Sequence, residues 1–127
     1  MVESLDDSVG RVLQKLDELK LADDTIFIFT SDNGGYGSPW RSLETVTDNS
    51  PPRSGKGSLY EGGVRVPLIV RWPGVTPPGA ECNEPVCTTD FYPTLLAALD
   101  LPGNAEHNRH VDGVNLLPLL KDPSAHL

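Results

Sequence analysis

A chain of 127 residues with 38% hydrophobic residues can build one domain with a core and is too short for two. Its net charge of −8 argues against nucleic acid as a partner, and no run of about 18 apolar residues is present to span a membrane. Twelve glycines and twelve prolines forecast long, shaped loops between few regular elements.

In chain order, residues 5–20 predict an amphipathic helix. Leu5, Val9, Val12, Leu13, Leu16 and Leu19 recur at helical spacing, with Ser4 as the expected cap and Asp6 and Asp7 in the favourable first turn. Residues 25–30 follow as a continuous apolar run of strand formers. Continuous rather than alternating apolarity predicts a strand buried on both faces, as in a parallel sheet covered by helices. Residues 31–63 carry ten of the chain's glycines and prolines and little periodicity, so they predict a long loop, either functional or disordered. A second strand is expected at about residues 66–72, then turns at Pro73-Gly74 and Pro77-Pro78-Gly79. A second helix is expected over residues 91–99, with Thr89 or Asp90 as cap, Pro93 in its first turn, and Leu101-Pro102-Gly103 ending it. A polar loop follows, then a short apolar segment at residues 114–120 interrupted by Pro118.

Two segments carry groups with chemistry. Thr30-Ser31-Asp32-Asn33-Gly34-Gly35 lies directly after the first strand, where ligands collect in open α/β sheets. Asp32 offers a carboxylate and Asn33 a carbonyl, both hard oxygen donors suited to calcium or magnesium, while two glycines allow a sharp turn. The same hexapeptide also reads as an Asx turn closing a strand. In Gly55-Lys56-Gly57-Ser58, glycines leave the Lys56 ammonium unobstructed for an anion, and Ser58 adds a hydroxyl. The spacing is not that of a phosphate-binding P-loop, and a glycine-rich surface turn explains it equally. Residues 41–71 hold five of the ten basic side chains, which fits either a small-anion site or a solvated loop. Cys82 and Cys87 lack a surrounding ligand cluster, so zinc is not expected, and unpaired thiols are favoured over a short disulfide.

Four collinear motifs resemble those of the sulfatase family (arylsulfatase-like members of the alkaline-phosphatase superfamily). The run from Asp24 through Thr30-Ser31-Asp32-Asn33-Gly34 is similar to the family's second metal-ligand segment. Gly55-Lys56-Gly57-Ser58-Leu59-Tyr60-Glu61-Gly62-Gly63-Val64-Arg65-Val66-Pro67 is similar to its second signature. Thr89-Asp90-Phe91-Tyr92-Pro93-Thr94 resembles a helix start that follows, and Asp112-Gly113-Val114-Asn115-Leu116-Leu117-Pro118-Leu119-Leu120 resembles a later segment.

The resemblance implies an α/β fold, here a partial alkaline-phosphatase/sulfatase-like mixed sheet flanked by helices, with residues 1–127 forming the C-terminal portion of the catalytic domain. It implies sulfuric ester hydrolysis, with Asp32 and Asn33 as metal ligands and Lys56 as a catalytic and substrate-binding lysine on the sulfate. The cofactors implied are a divalent metal, Ca2+ first with Mg2+ as the alternative, and a formylglycine nucleophile made from a Cys/Ser-X-Pro-X-Arg motif. Arg65 is expected to brace its loop against the sheet, and Glu61 to serve the scaffold. Neither Cys82 nor Cys87 begins the nucleophile motif, and the family's first metal aspartates have no matching position, so this chain alone is expected to be inactive, as a fragment or truncated reading frame. His107, His110 and His126 follow the matched motifs and are not assigned to the site. Trp40 and Arg41 are candidates to line a substrate entrance, with a surface-packed Trp as the equal alternative. The expected substrate is a sulfate ester; the alternatives are a phosphoesterase or phosphonate hydrolase of the same superfamily, or a non-catalytic remnant. Complete family members are commonly exported or lysosomal.

Overall fold

The computed structural model describes residues 2–36 and 47–127. The chain divides into two compact units, one formed by Ile26–Arg71 and the other by Met1–Thr25 with Trp72–Leu127.

The first unit is built on two short strands, β1 (Phe27–Thr30) and β2 (Leu68–Arg71), paired antiparallel with Phe27 opposite Arg71 and Thr30 opposite Leu68. The Thr30 hydroxyl extends the pairing by donating to the Pro67 carbonyl at 2.9 Å. This corrects the parallel, doubly buried strand expected from the apolar run. Phe27 and Phe29 are half-buried, and Ile28 and Ile69 are exposed. An apolar run records how much burial a strand can use. It does not record the direction of its partner, which the connection decides. Here that direction matters, because antiparallel pairing brings the chain leaving β1 and the chain entering β2 out at the same end. A one-turn helix, α2 (Glu61–Val64), stands just before β2.

The second unit begins with α1 (Val2–Glu18). The helix starts ahead of Ser4, so Ser4 is an interior residue whose carbonyl accepts from the Ser8 hydroxyl at 2.8 Å, and it is not the cap. None of the α1 side chains is buried, and Leu5, Val12 and Leu19 stand about half exposed along the stripe. At the other end Lys20 takes a left-handed conformation (φ 57°), with Lys20 N–H donating to Asp17 and Leu21 N–H to Leu16. The same closure ends α3 (Phe91–Ala98), where Asp100 is left-handed (φ 51°) and Leu101 N–H donates to the Leu96 carbonyl at 2.9 Å. Both helices therefore use the closure that normally favours glycine with another residue at the strained position.

Of the two expected caps of α3, Asp90 takes the position, but its side chain makes no bond to the α3 amides and turns back instead. Residues 88–90 form a single 3-10 turn ahead of α3, and Cys87 takes the cap position of that turn. Asp90 is 6% exposed. One of its carboxylate oxygens accepts from Cys87 N–H at 2.6 Å and the other from Val114 N–H at 2.9 Å. Thr94, 5% exposed, donates its hydroxyl to the Asp90 carbonyl at 2.6 Å and accepts from Leu116 N–H at 2.8 Å. A Cβ at Gly113 would lie 2.1 Å from the Thr89 carbonyl oxygen, so the two segments touch backbone to backbone. The third and fourth sequence motifs are thus two halves of one clasp. It leads into α5 (Leu117–Lys121), where Pro118 sits in the first turn rather than breaking the segment. Leu116 and Leu119 are buried beside it, and with Ala22 they are the buried hydrophobic residues among those described. The segment read as a polar loop contains a further turn of helix, α4 (Ala105–Asn108), capped by the Asn104 side chain on His107 N–H. Among the described residues, no helix is long and apolar enough to cross a membrane.

Candidate functional site

The two motif segments of the first unit meet through their backbones. Gly34 N–H donates to the Gly63 carbonyl at 3.0 Å and Lys56 N–H to the Gly35 carbonyl at 3.0 Å, while Gly62 N–H closes the lysine loop on itself at the Arg53 carbonyl, 2.9 Å. The contact is too close for side chains. A Cβ on Gly34 would lie 1.8 Å from the Gly62 oxygen, and a Cβ on Gly62 would lie 2.1 Å from the Ser54 oxygen. These glycines are required by close backbone approach, between the two loops at Gly34 and within the lysine loop at Gly62. The loop holding Asp32 and Asn33 is thereby fastened to the loop holding Lys56.

Within that arrangement Asp32 is exposed and Asn33 half-buried. The Asn33 amide donates to the Asp32 carboxylate, so the two side chains face each other. The Asn33 carbonyl oxygen is buried and has no hydrogen-bond partner. A buried acceptor without a donor is costly unless something else satisfies it. A hard cation is such a partner, so these two residues fit a divalent metal of the calcium or magnesium type. Two side chains alone fall well short of the roughly six to eight oxygens such an ion takes. Among the described residues, no group of three or more His, Cys, Asp and Glu side chains is placed to hold a metal.

Lys56 is exposed, and among the described residues it makes no ion pair. Glu61 and Arg65 pair with each other at 3.4 Å across one turn of α2, each side chain 65% exposed. The brace expected between Arg65 and the sheet is instead this local, solvated pair, and it contributes little. Arg53 stacks over the Tyr60 ring at 4.0 Å from its centroid, a cation–π contact within the same loop. Ser58 carries a second buried oxygen without a partner. Trp40 and Arg41 lie outside the described residues.

The remaining candidates belong to the other unit. His107 packs edge-on against Tyr92, His110 lies 3.9 Å from Glu106, and His126 lies 2.8 Å from Glu84. Cys82 and Cys87 are free and exposed. Hydrogen bonding from the Thr89 backbone, with further bonds from the Thr89 and Thr88 side chains and backbone, holds the Cys87 thiol below its ordinary pKa.

One residue of the site escaped the sequence reading. Asn49 bonds Gly35 through both its carbonyl and its amide, at 3.1 and 3.0 Å, and also donates to the Ser54 carbonyl at 3.1 Å. In the sequence it stands beside Ser50-Pro51-Pro52, where an asparagine reads as an ordinary turn former. Its distant partners carry no sequence signal.

The end of the strand pair thus brings together two oxygen-donor side chains, an exposed lysine without an ion pair among the described residues, and tightly turned glycines. The family model described as Sulfatase matches residues 1–101. The chain is 45% identical to mouse steryl-sulfatase (Mus musculus) over 124 residues, covering 94% of this chain and 19% of that protein. It is 42% identical to a sulfatase of Formosa agariphila, covering 97% of this chain and 23% of that one. Among solved structures, Ps i-CgsB superposes with a TM-score of 0.82 at 36% identity, covering 97% of this chain and 26% of that chain. A second, BT4656, solved in complex with its substrate D-glucosamine-2-N,6-O-disulfate, gives a TM-score of 0.73 at 25% identity over 96% of this chain and 22% of that chain. The chain belongs to the sulfatase family, has the α/β fold of its solved relatives, and spans about a fifth of the length of the curated relatives it matches.

Proposed function

We propose that this chain supplies part of the cation and sulfate site of a sulfuric ester hydrolase, as the C-terminal portion of its catalytic domain. Asp32 and Asn33 are the metal ligands and Lys56 the catalytic and substrate-binding lysine. The observation that carries the reading is the fastening of Lys56 N–H to the Gly35 carbonyl at 3.0 Å, two residues from the orphaned Asn33 oxygen.

The chemistry follows from charge. A sulfate monoester carries one negative charge, and more negative charge gathers on the leaving oxygen as the sulfur–oxygen bond breaks. A divalent cation bound there supplies positive charge to the sulfate oxygens. Asp32 would hold that cation by charge and Asn33 by its carbonyl dipole, which needs no proton change. Lys56, with no carboxylate neutralising it among the described residues, keeps its full charge for the sulfate and the leaving oxygen. Loops fixed by backbone contact cost little reorganisation when charge develops. The whole protein's substrate is expected to be a sulfate ester.

Titration of the chain with CaCl2 by calorimetry tests the metal assignment. Weak binding, abolished by Asp32→Ala, is expected. Binding that survives both Asp32→Ala and Asn33→Ala would remove these residues from the metal site. In the whole protein that carries this chain, Lys56→Ala is expected to lower kcat/KM for 4-nitrophenyl sulfate by about a hundredfold or more; a change under threefold would remove Lys56 from the mechanism.

A further inference from the structure

We propose that Asn49 is a positioning residue that sets the distance between the metal-ligand loop and the lysine loop, and so couples Asp32 and Asn33 to Lys56. The proposal rests on the reading of those three residues as one site.

An asparagine side chain offers two N–H donors and one carbonyl acceptor, and Asn49 has partners for both kinds. Its carbonyl accepts from Gly35 N–H, and its amide donates to the Gly35 and Ser54 carbonyls. The partners lie 14 residues back and five residues ahead. A turn-forming asparagine would instead bond its own near neighbours. That local task is done next door, where the Asp48 carboxylate accepts from Ser50 N–H at 2.8 Å. Asn49 is therefore a tertiary bracket. It grips the N–H and the carbonyl of one residue of the first loop, Gly35, as a neighbouring strand would, and holds the second loop with its remaining donor.

What it grips is the point where the two loops join. The Gly35 carbonyl that accepts from Asn49 also accepts from Lys56 N–H at 3.0 Å, and Ser54 precedes Lys56 by two residues. The fit excludes a side chain at Gly35, where a Cβ would lie 2.6 Å from the Asn49 carbonyl oxygen and 2.7 Å from the Thr47 hydroxyl. The other backbone tie described between the loops runs from Gly34 to Gly63, and Gly62 N–H to the Arg53 carbonyl closes the second loop on itself. These anchor the glycine turn and not Lys56 itself. Supporting groups of this kind, which touch no ligand, commonly alter metal affinity or activity by about 10- to 100-fold when removed.

Nitrogen-15 NMR of the 127-residue chain, with CaCl2 as the probe, tests this. In wild type, calcium is expected to shift the amide signals of Asp32 and Asn33 and also that of Lys56. In Asn49→Ala the Lys56 response is expected to vanish while Asp32 and Asn33 still respond, with calcium affinity reduced about tenfold. Amide exchange at Gly35 and Lys56 should rise at least tenfold in the same variant, while the β1–β2 amides stay protected. Asn49→Asp, which keeps the acceptor and loses both donors, should fall between. A Lys56 response unchanged in Asn49→Ala would overturn the proposal, and so would exchange rising equally across β1–β2. If calcium shifts no signal in wild type, the metal-site reading fails and the coupling claim falls with it. Selective exchange at Gly35 and Lys56 would then assign Asn49 to loop architecture alone.

Discussion

The clasp around Asp90 gives a stability prediction that can be worked from its geometry. Asp90 is 6% exposed and satisfies two backbone donors, Cys87 N–H at 2.6 Å and Val114 N–H at 2.9 Å. Asp90→Ala leaves both amides without a partner. Each such loss costs about 1–3 kcal/mol, and both amides are only partly buried, so the expected total is about 2–4 kcal/mol. Asp90→Asn keeps one acceptor but turns an amide toward the other donor, at a cost of about 1.5–3 kcal/mol for the lost charge-assisted bond. For a domain of this size a loss near 3 kcal/mol lowers Tm by roughly 10–15 °C. Urea unfolding followed by circular dichroism at constant pH reads the difference directly. Thr94→Val is the milder companion, removing the acceptor for Leu116 N–H at 2.8 Å for about 1–2 kcal/mol, whereas Thr94→Ser keeps the hydroxyl and should stay close to wild type. If Asp90→Asn and Thr94→Val both unfold within about 0.5 kcal/mol of wild type, the clasp does not hold these segments and the reasoning is wrong.

Four further outcomes are expected. Gly34→Ala, whose Cβ would meet the Gly62 oxygen at 1.8 Å, should force the loops apart at a cost of about 1–3 kcal/mol and weaken calcium binding; a variant that binds calcium like wild type refutes the close-approach argument. Lys20→Gly and Asp100→Gly, at φ 57° and 51°, should each change stability by no more than a gain of about 0.5–1 kcal/mol, the relief of a left-handed side chain less the added entropy of the unfolded chain; destabilisation by either would show that the side chain does something the φ angle hides. The Cys87 thiol, held below its ordinary pKa by the Thr89 backbone first, should react with iodoacetamide at lower pH in the folded chain than in urea. Deprotonation then favours the folded form as pH rises, and the advantage is lost as pH falls through the lowered pKa; identical pH profiles in both states would contradict the hydrogen-bond argument. The half-exposed leucines and valines along α1 should make the folded chain enhance the fluorescence of an apolar dye, and replacing Leu5 and Val12 by Gln should reduce that signal.

The sequence by itself determined the elements and the chemistry available. Helical spacing located α1 and α3, and strand-forming runs located β1 and β2 within a few residues, because local periodicity reflects the burial each element needs. Asp32, Asn33 and Lys56 were legible as candidates because their side-chain chemistry and glycine neighbours are local facts. Capping was less legible. Ser4 had the right chemistry for a cap, yet the helix begins before it, and Asp90 caps from inside a preceding turn. Propensity sets which groups are able to cap, and the surrounding chain sets which ones do.

Only the tertiary structure decided what the loops do together. Antiparallel pairing of β1 and β2 sends both motif loops out at one end. Backbone contacts at Gly34 and Gly62, and the Asn49 bracket, then join Lys56 to the Asp32 loop. Likewise Asp90 and Thr94 join the two segments of the clasp through backbone donors 24 and 22 residues away. A backbone amide looks the same in every sequence, so partnerships made through it leave no pattern in the residues and appear only once the chain is folded.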